Sequence, residues 1–512
     1  MKALKGLLIY IGIVLASILG IAIILFAIMY FVPSFRIFGV GVVHDGNKEE
    51  GTAVDISNYS GFSDIELNIS SKKVSIYLDN SESDSEINYV FTKNVFGIAF
   101  DITEYKVLKD VELKGTTLKV SIIVTEPEGW ISSNSSSISI TLPKAFNYSL
   151  MANTTSGKVV LGKSSEMSNI KNLTINTTSG GFTFGTSKEE GTTTTKTLNT
   201  LNLSTKSGLY DLSSIDNLTC NNTIKLEGEN GTFKFKKVNA SLNATGKGIK
   251  LDADEIVTDI NGFKFISENG LFQIGKINTM AGAENTIVTE NCDVKIDEVL
   301  GKTGIVTTYG NINIGILNDY ATLQSEHGNV TIKKAKSDLI ISTTFGNITV
   351  EGYESNAKFV SSRGNINVKS VGDYKQGVYT SIENTDGSIV VDNKVNRLLV
   401  KTYGSSKVEI KYREIKGGLD PVNVFQHKVN LADSSSATVY MPTVNYNTPF
   451  KFIAKGNISG EISGLVPEYG GDKVKSSDDF QYFPEKSVKD QCMTSCYFEF
   501  LGTIYFQGYL NV

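Results

Sequence analysis

Four consecutive blocks of the sequence repeat one eighteen-residue pattern: TGIVTTYGNINIGILNDY from Thr303, ATLQSEHGNVTIKKAKSD from Ala321, LIISTTFGNITVEGYESN from Leu339 and AKFVSSRGNINVKSVGDY from Ala357. Their glycines, Gly310, Gly328, Gly346 and Gly364, recur every eighteen positions. A fixed period in this range marks a stacked repeat, because one block cannot bury its own apolar face and needs its neighbours to cover it. A block of this length holds two short strands and has no room for a helix.

Within each block the apolar residues alternate, as in strands that face a core: Ile312 and Ile314, Val330 and Ile332, Ile348 and Val350, Ile366 and Val368. The strand before the glycine supplies a third column, Ile305, Leu323, Ile341 and Phe359. Two residues further on, Thr307, Ser325, Thr343 and Ser361 point the same way and give a column of small residues where the coil narrows. The positions between core residues, Asn313, Thr331, Thr349 and Asn367, are polar. At each corner, Gly310, Gly328, Gly346 and Gly364 are expected at positive φ, which glycine adopts without steric cost. The adjoining Asn311, Asn329, Asn347 and Asn365 are expected to bond the turn backbone and, with coils in register, to form a ladder of side-chain amides.

The predicted fold is all-β: a single-stack parallel β-solenoid (β-helix) of roughly 18–23-residue coils, preceded by one N-terminal transmembrane helix. A propeller needs blades of ~40 residues and a sandwich needs hairpin turns, so both fit the register less well. Imperfect copies such as NTTSGKVVLG, NTTSGGFTFG and STKSGLYDLS upstream, and ENTDGSIVVD and KTYGSSKVEI downstream, extend the array. Their drifting spacing implies loops inserted at one corner, GTSKEEGTTTTKT being the most obvious. The expected organisation is an anchor over 1–36, a linker over 37–54, an irregular β cap or first coils over 55–150, regular coils over 151–412 and a C-terminal β cap over 413–512.

Leu7 to Val32 carries no charge and, as a helix, is long enough to cross a hydrocarbon layer of ~30 Å. It exceeds the apolar stretch of a signal peptide and reads as an uncleaved span. Lys2 and Lys5 precede it, whereas Arg36 and the mixed segment HDGNKEE follow. The positive-inside bias keeps the N-terminus in the cytoplasm and the bulk of the chain outside, in a single-pass arrangement. A net charge of −5 leaves no broad basic field for phosphates, so nucleic acid is not expected as a partner.

Cys220 and Cys292 sit in strand-like repeats and read as small buried hydrophobes. Cys492 and Cys496, in QCMTSC, can form a local disulfide if that segment turns, whereas an extended strand would hold them too far apart. The three histidines, His44, His327 and His427, have no partner at metal or triad spacing, and no glycine loop of the phosphate-binding type occurs. No catalytic, metal or cofactor-binding residue is assigned, no cofactor is expected, and an enzyme is not expected. A polysaccharide-active β-helix needs Asp, Lys or Arg clustered on neighbouring coils, whereas the best blocks offer Ser, Thr, Asn, Gln and Val, with Glu326 as the exception.

One column precedes the corner glycines: Tyr309, His327, Phe345 and Arg363, with Tyr403 at a later corner. Stacked coils place the first four in a ridge, and exposed aromatics beside arginine can stack on sugar rings or fill a partner's pocket. The alternative is that corner residues simply vary.

The phrase SISITLPKAFNYSLMANTTSGKVVLG, together with the earlier GFSDIELNISSKKVSIYLD, resembles the putative adhesin family of bacterial β-solenoid proteins. The resemblance covers most of residues 55–465 and implies a surface-attached, non-enzymatic solenoid, with no binding residues to carry over. Expected partners are the membrane, through residues 7–32, and a surface glycan or protein ligand. A second reading is a self-associating envelope scaffold resembling bactofilins, whose rods join end to end; here about 100 residues flank the array at each end. A third is a sensor that transmits envelope state through the single helix.

Overall fold

The computed structural model describes residues 2–32, 35–37, 40–81, 85–99, 105–126, 129–163, 167–185, 193–371, 378–393, 397–413, 425–432, 434–441, 451–455, 458–461, 479–482 and 496–508. It divides into two compact units, Met1–Lys237 and Val238–Val512, a boundary that the repeat pattern does not announce. Both units are β-solenoids with parallel pairing between successive coils, and a single long helix, α1 (Lys2–Phe31), begins the chain.

In the second unit the eighteen-residue period becomes register. Ala321–Ser325 pairs in parallel with Leu339–Thr343, and Val330–Ala335 with Ile348–Tyr353, so that Val330 lies opposite Ile348 and Leu323 opposite Ile341. The predicted inward columns are fully buried: Ile305, Leu323, Ile341 and Phe359 in one strand, Ile312, Val330, Ile348 and Ile366 in the other. Each such side chain contributes about 2 kcal/mol by leaving water, and a period of 2 keeps all of them on the inner face. Longer coils occur on either side of the best blocks, as in the pairing of Leu242 with Phe263 and of Ile366 with Ile389.

The segment 413–512, expected as a C-terminal β cap, continues the parallel pairing in its described strands. Phe425–Asn430 stacks on Arg397–Thr402, and Ser436–Met441 on Ser406–Tyr412. Chain order then breaks: Cys496–Leu501 and Thr503–Gly508 form the next layer, and Lys451–Lys455 and Ile458–Glu461 pair onto those.

The first unit starts out of order. Residues 37–54, expected as a linker, hold β1 (Gly41–Asp45) and most of β2 (Lys48–Asp55). There follow β3 (Asp64–Ser71), β4 (Ser75–Ser81), β5 (Glu86–Thr92), β6 (Val95–Ala99), β7 (Lys106–Lys114), β8 (Thr117–Thr125), β9 (Gly129–Asn134) and β10 (Ser137–Pro143). β3 and β4 make the first corner of the parallel stack, covered on one side by Tyr148–Thr154 and Val159–Lys163 and on the other by β8 and β10. Antiparallel strands then close that end: β7 on β8, β5 on β10, and β2 on β5. β1, β6 and β9 form a small antiparallel sheet of their own.

Glu126, directly after β8, finishes this end. Its nearly buried carboxylate accepts N–H bonds from Lys72 (2.9 Å), Lys73 (2.7 Å) and Val74 (2.9 Å). In higher coils such corner N–H groups reach the carbonyls of the coil beneath, as when Thr155 and Ser156 donate to Lys72 O. At this corner the layer beneath is interrupted, because the chain leaves β8 to form β9 before returning as β10, and the Glu126 side chain takes over the acceptor role, which spares the cost of orphaned buried donors.

Candidate ligand ridge at a solenoid corner

The corner of the second unit is built by three neighbouring columns. The glycine comes first, and its reason differs from the expected one: Gly310, Gly328, Gly346 and Gly364 are not among the positive-φ glycines. They are required by close approach. A Cβ on Gly328, Gly346 or Gly364 would lie 1.9 Å from the carbonyl oxygen of the glycine one coil below, and one on Gly310 would lie 2.0 Å from Cys292 O. Backbone rests on backbone here, and no side chain fits between.

The hydroxyl column, expected only as small filler, ties each turn. Thr307, Ser325 and Ser361 accept the N–H of the corner glycine three residues on at 3.0, 2.9 and 2.8 Å, and Thr343 donates to Gly346 O at 2.7 Å. The asparagine column then locks coil to coil. Asn311 Oδ1 accepts Asn329 N–H at 3.0 Å, Asn329 Oδ1 accepts Asn347 N–H at 2.9 Å, and Asn347 Oδ1 accepts Asn365 N–H at 2.8 Å. Asp293 opens the ladder below Asn311, and Ser388 closes it above Asn365. The ladder therefore runs from side-chain oxygen to backbone N–H, with one amide–amide contact, Asn329 to Asn311 at 3.4 Å.

This clamped backbone displays the fourth column. Tyr309 and His327 stack with ring centroids 4.8 Å apart and planes 11° apart; His327 and Phe345 stack at 4.7 Å and 4°. The Arg363 guanidinium lies over Phe345, 5.5 Å from its centroid. The spacing follows from the coil repeat, since strands in a sheet lie about 4.8 Å apart. Tyr309 and Phe345 remain 54% and 43% exposed despite the stacking. Glu326, beside His327 at 3.6 Å, adds a carboxylate to the ridge.

The structure brings together Tyr309, His327, Phe345 and Arg363, and leaves Tyr403 apart. Asp386 takes the next corner above Arg363, where its N–H donates to Ser362 O, and Tyr403 follows on the coil beyond with Lys401 over its ring at 4.5 Å. Below Tyr309 the corner residue is Asn291, bonded through its amide to Asn269 at 3.1 Å. Polar corners thus bound the ridge at both ends.

The stacking also restricts what the ridge can do. Inner ring faces cover one another, so a sugar cannot lie flat on His327 or Phe345; what remains outward is a row of ring edges, the tyrosine hydroxyl, the imidazole and the guanidinium. Such a row is rigid before any partner arrives, which lowers the ordering cost of binding.

Cys220 and Cys292 are buried free thiols, and burial raises the Cys292 thiol to about 12, with Asp293 adding to the effect. Cys492 and the proposed bridge to Cys496 lie outside the described residues, as does the side chain of His44. His427 is a buried core residue whose Nδ1 accepts Leu398 N–H at 3.3 Å. Lys196 was not anticipated: it is buried in the first unit, donates to the carbonyls of Met167 and Ile170, and is lowered to about 8 by burial and the Lys171 charge. A lysine in a run of threonines gives no sequence signal for this. Among the described residues, no group of three or more His, Cys, Asp or Glu side chains is placed to hold a metal ion.

No family model matches the sequence, and no curated protein does. Among solved structures, the chain is similar to a putative cell adhesion protein from Clostridium sporogenes ATCC 15579, at 16% identity over 53% of this chain and 99% of that one, with a TM-score of 0.23. It is also similar to a putative adhesin from Parabacteroides merdae ATCC 43184, at 10% identity over 67% and 98% of the two chains, TM-score 0.24. A third is a putative lipid binding protein from Parabacteroides distasonis ATCC 8503, at 14% identity over 71% and 98%, TM-score 0.16.

Proposed function

We propose that this chain is a single-pass membrane protein whose β-solenoid body lies outside the cell and binds a surface ligand without catalysis. The observation that carries the reading is the ridge: four exposed side chains, prestacked on a backbone clamped by glycine, hydroxyl and asparagine columns. With its ring faces occupied, the ridge suits insertion of edges into a pocket of a protein partner or contact with the hydroxyls of a glycan, in preference to flat stacking on sugar rings.

The membrane part rests on Ile9–Phe31, a helical stretch long and apolar enough to cross a bilayer. The end-to-end scaffold is less well supported, because β7, an outer strand of the first unit, carries Lys106, Lys109, Asp110, Glu112 and Lys114, the kind of charged edge that opposes strand-to-strand association.

The test compares vesicles bearing the full chain with vesicles bearing Tyr309→Ala, Phe345→Ala and Arg363→Ala together, scoring adhesion to immobilised surface glycans and envelope proteins. The reading requires adhesion that the triple variant loses; equal adhesion by both removes the ridge from the binding role. Protease added to intact cells, with a cleavage site placed after Phe35, checks the topology: loss of the C-terminal fragment is expected, and full protection until lysis would put the body in the cytoplasm.

A further inference from the structure

The small sheet β1–β6–β9 meets the apolar helix in a way that an extracellular domain on a loose tether would not. Phe96, on the central strand β6, lies with its ring centroid 6.3 Å from Phe26 and 6.3 Å from Tyr30, both on α1. Phe26 stands five residues before Phe31, hence about 7 Å back along the helix axis. The apolar stretch Ile9–Phe31 has 23 residues, about 34 Å of helix against a hydrocarbon layer of ~30 Å. A ring packed on both Phe26 and Tyr30 therefore sits below the level at which the helix leaves the bilayer.

The connection between helix and sheet is correspondingly tight. Phe35 N–H donates to Val32 O at 2.8 Å, and Ile37 and Val40 exchange backbone bonds at 2.9 Å each, so two backbone closures fall within the short stretch between the end of α1 at Phe31 and the start of β1 at Gly41. β6 is paired on both sides, with β1 and with β9, and brings no unpaired backbone toward lipid. Val42 and Ile98 are opposite one another and share the face of Phe96 by strand alternation. Val42 is buried and Ile98 half-buried, yet Phe96 remains 43% exposed even with the helix against it. That leftover apolar surface continues directly from a membrane-spanning surface, so its natural cover is lipid.

The geometry points to a membrane-seated platform: the β1–β6–β9 sheet rests in the outer interfacial layer of the bilayer with Phe96 inserted beside the helix. This rests on the reading that α1 spans the membrane. Tyr, as at position 30, is enriched in that layer, and Phe on an exposed apolar face inserts at the boundary of headgroups and acyl chains. The consequence is that the first unit is held at the lipid surface instead of swinging on a free linker.

The sequence has one tryptophan, Trp130, in β9. In a Trp130→Phe background, Phe96→Trp and, separately, Phe26→Trp place a single indole on the sheet or on the helix of the full chain, reconstituted in phosphatidylcholine vesicles with bromine high on the acyl chains. Both indoles are expected to lose roughly half their emission or more, as for groups at interfacial depth. Quenching at Phe26→Trp with none at Phe96→Trp overturns the platform and keeps the span. Failure of both overturns the span and the platform with it. An indole at position 96 that is shielded only at high protein-to-lipid ratio shows that a second copy covers the ring, which also overturns the lipid assignment.

Discussion

Two corner stacks use the same backbone device and display opposite surfaces. In the first unit, a Cβ on Gly180 would lie 2.1 Å from Gly157 O, and one on Gly208 would lie 1.9 Å from Gly180 O. Thr154 and Thr205 accept the N–H of Gly157 and Gly208 at 2.9 and 2.7 Å, as Thr307, Ser325 and Ser361 do for their glycines. Yet the residues before those glycines are Ser156, Ser179 and Ser207, where the second unit shows Tyr309, His327, Phe345 and Arg363. The comparison separates two demands on one turn: glycine, hydroxyl and close approach are what any coil needs, whereas the residue before the glycine is free of the fold and available to function.

The largest effect should come from the shared part. Gly346→Ala and Gly180→Ala each force a Cβ into a carbonyl of the neighbouring coil and should cost about 4 kcal/mol or more, or abolish folding of their unit. Gly46→Ala, with open space around it, should change little. Chemical denaturation of the three variants checks this, and a Gly346→Ala midpoint close to that of Gly46→Ala would show that the corner relaxes and that the shared device is not a constraint.

The next effect distinguishes the two units by pH. His427, in the second unit, is lowered to about 3 by burial, with the Arg397 charge adding to it, and its Nδ1 is engaged as an acceptor. Its pKa is lower folded than unfolded, so the unfolded chain binds more protons between pH ~6.5 and that value, and stability falls as pH drops through the window. The loss should be on the order of 3 kcal/mol by pH 4. Lys196 of the first unit titrates at the other end: its lowered pKa makes folding more favourable as pH rises from about 8 toward the ordinary lysine value. Stability of His427→Gln measured from pH 7 to 4 should show a flatter acid slope than the parent; an unchanged slope would mean that carboxylates carry the acid transition.

Hydroxyl removal should give smaller and unequal effects. Thr343 in the second unit has one bond to its corner, whereas Thr177 in the first bonds Gly180 O at 2.7 Å, Thr205 Oγ1 at 3.0 Å and Tyr210 Oη at 3.1 Å. Thr343→Val should cost about 1 kcal/mol and Thr177→Val about 2, since the second strands more buried partners. Equal losses in denaturation midpoints would show that the extra bonds of Thr177 are not coupled.

Legibility in the sequence followed periodicity. The inward columns Ile305 to Phe359 and Ile312 to Ile366 were readable because a period of 2 within each strand and of eighteen between coils fixes which side chains meet. The alignment of Tyr309, His327 and Phe345 on one corner is readable for the same reason, whereas their face-to-face stacking emerges only in the structure. The need for glycine was readable and its cause was not, since positive φ and close backbone approach select the same residue. Where chain order and spatial order part, the pattern falls silent: Cys496–Leu501 reaches its layer before Lys451–Lys455, β1 and most of β2 fall in a stretch with no periodicity, and Glu126 caps a corner more than fifty positions earlier in the chain.

The smallest stability effect should belong to the ridge, and its smallness is informative. Phe345 stacks on His327 and lies under Arg363, but it is 43% exposed and no core column depends on it. Phe345→Ala should therefore cost about 1 kcal/mol, the worth of one or two exposed aromatic contacts, and Ser179→Ala, at the equivalent corner of the first unit, should cost close to nothing. Denaturation midpoints of the two variants decide between two origins of the column. A loss at Phe345 well above that of Thr343→Val would make the stack a structural clasp, selected to hold coils that the serine corners hold without it. A small loss, alongside lost adhesion of the triple variant, would mean that the fold tolerates either display and that four stacked side chains on one corner are there for something other than the fold.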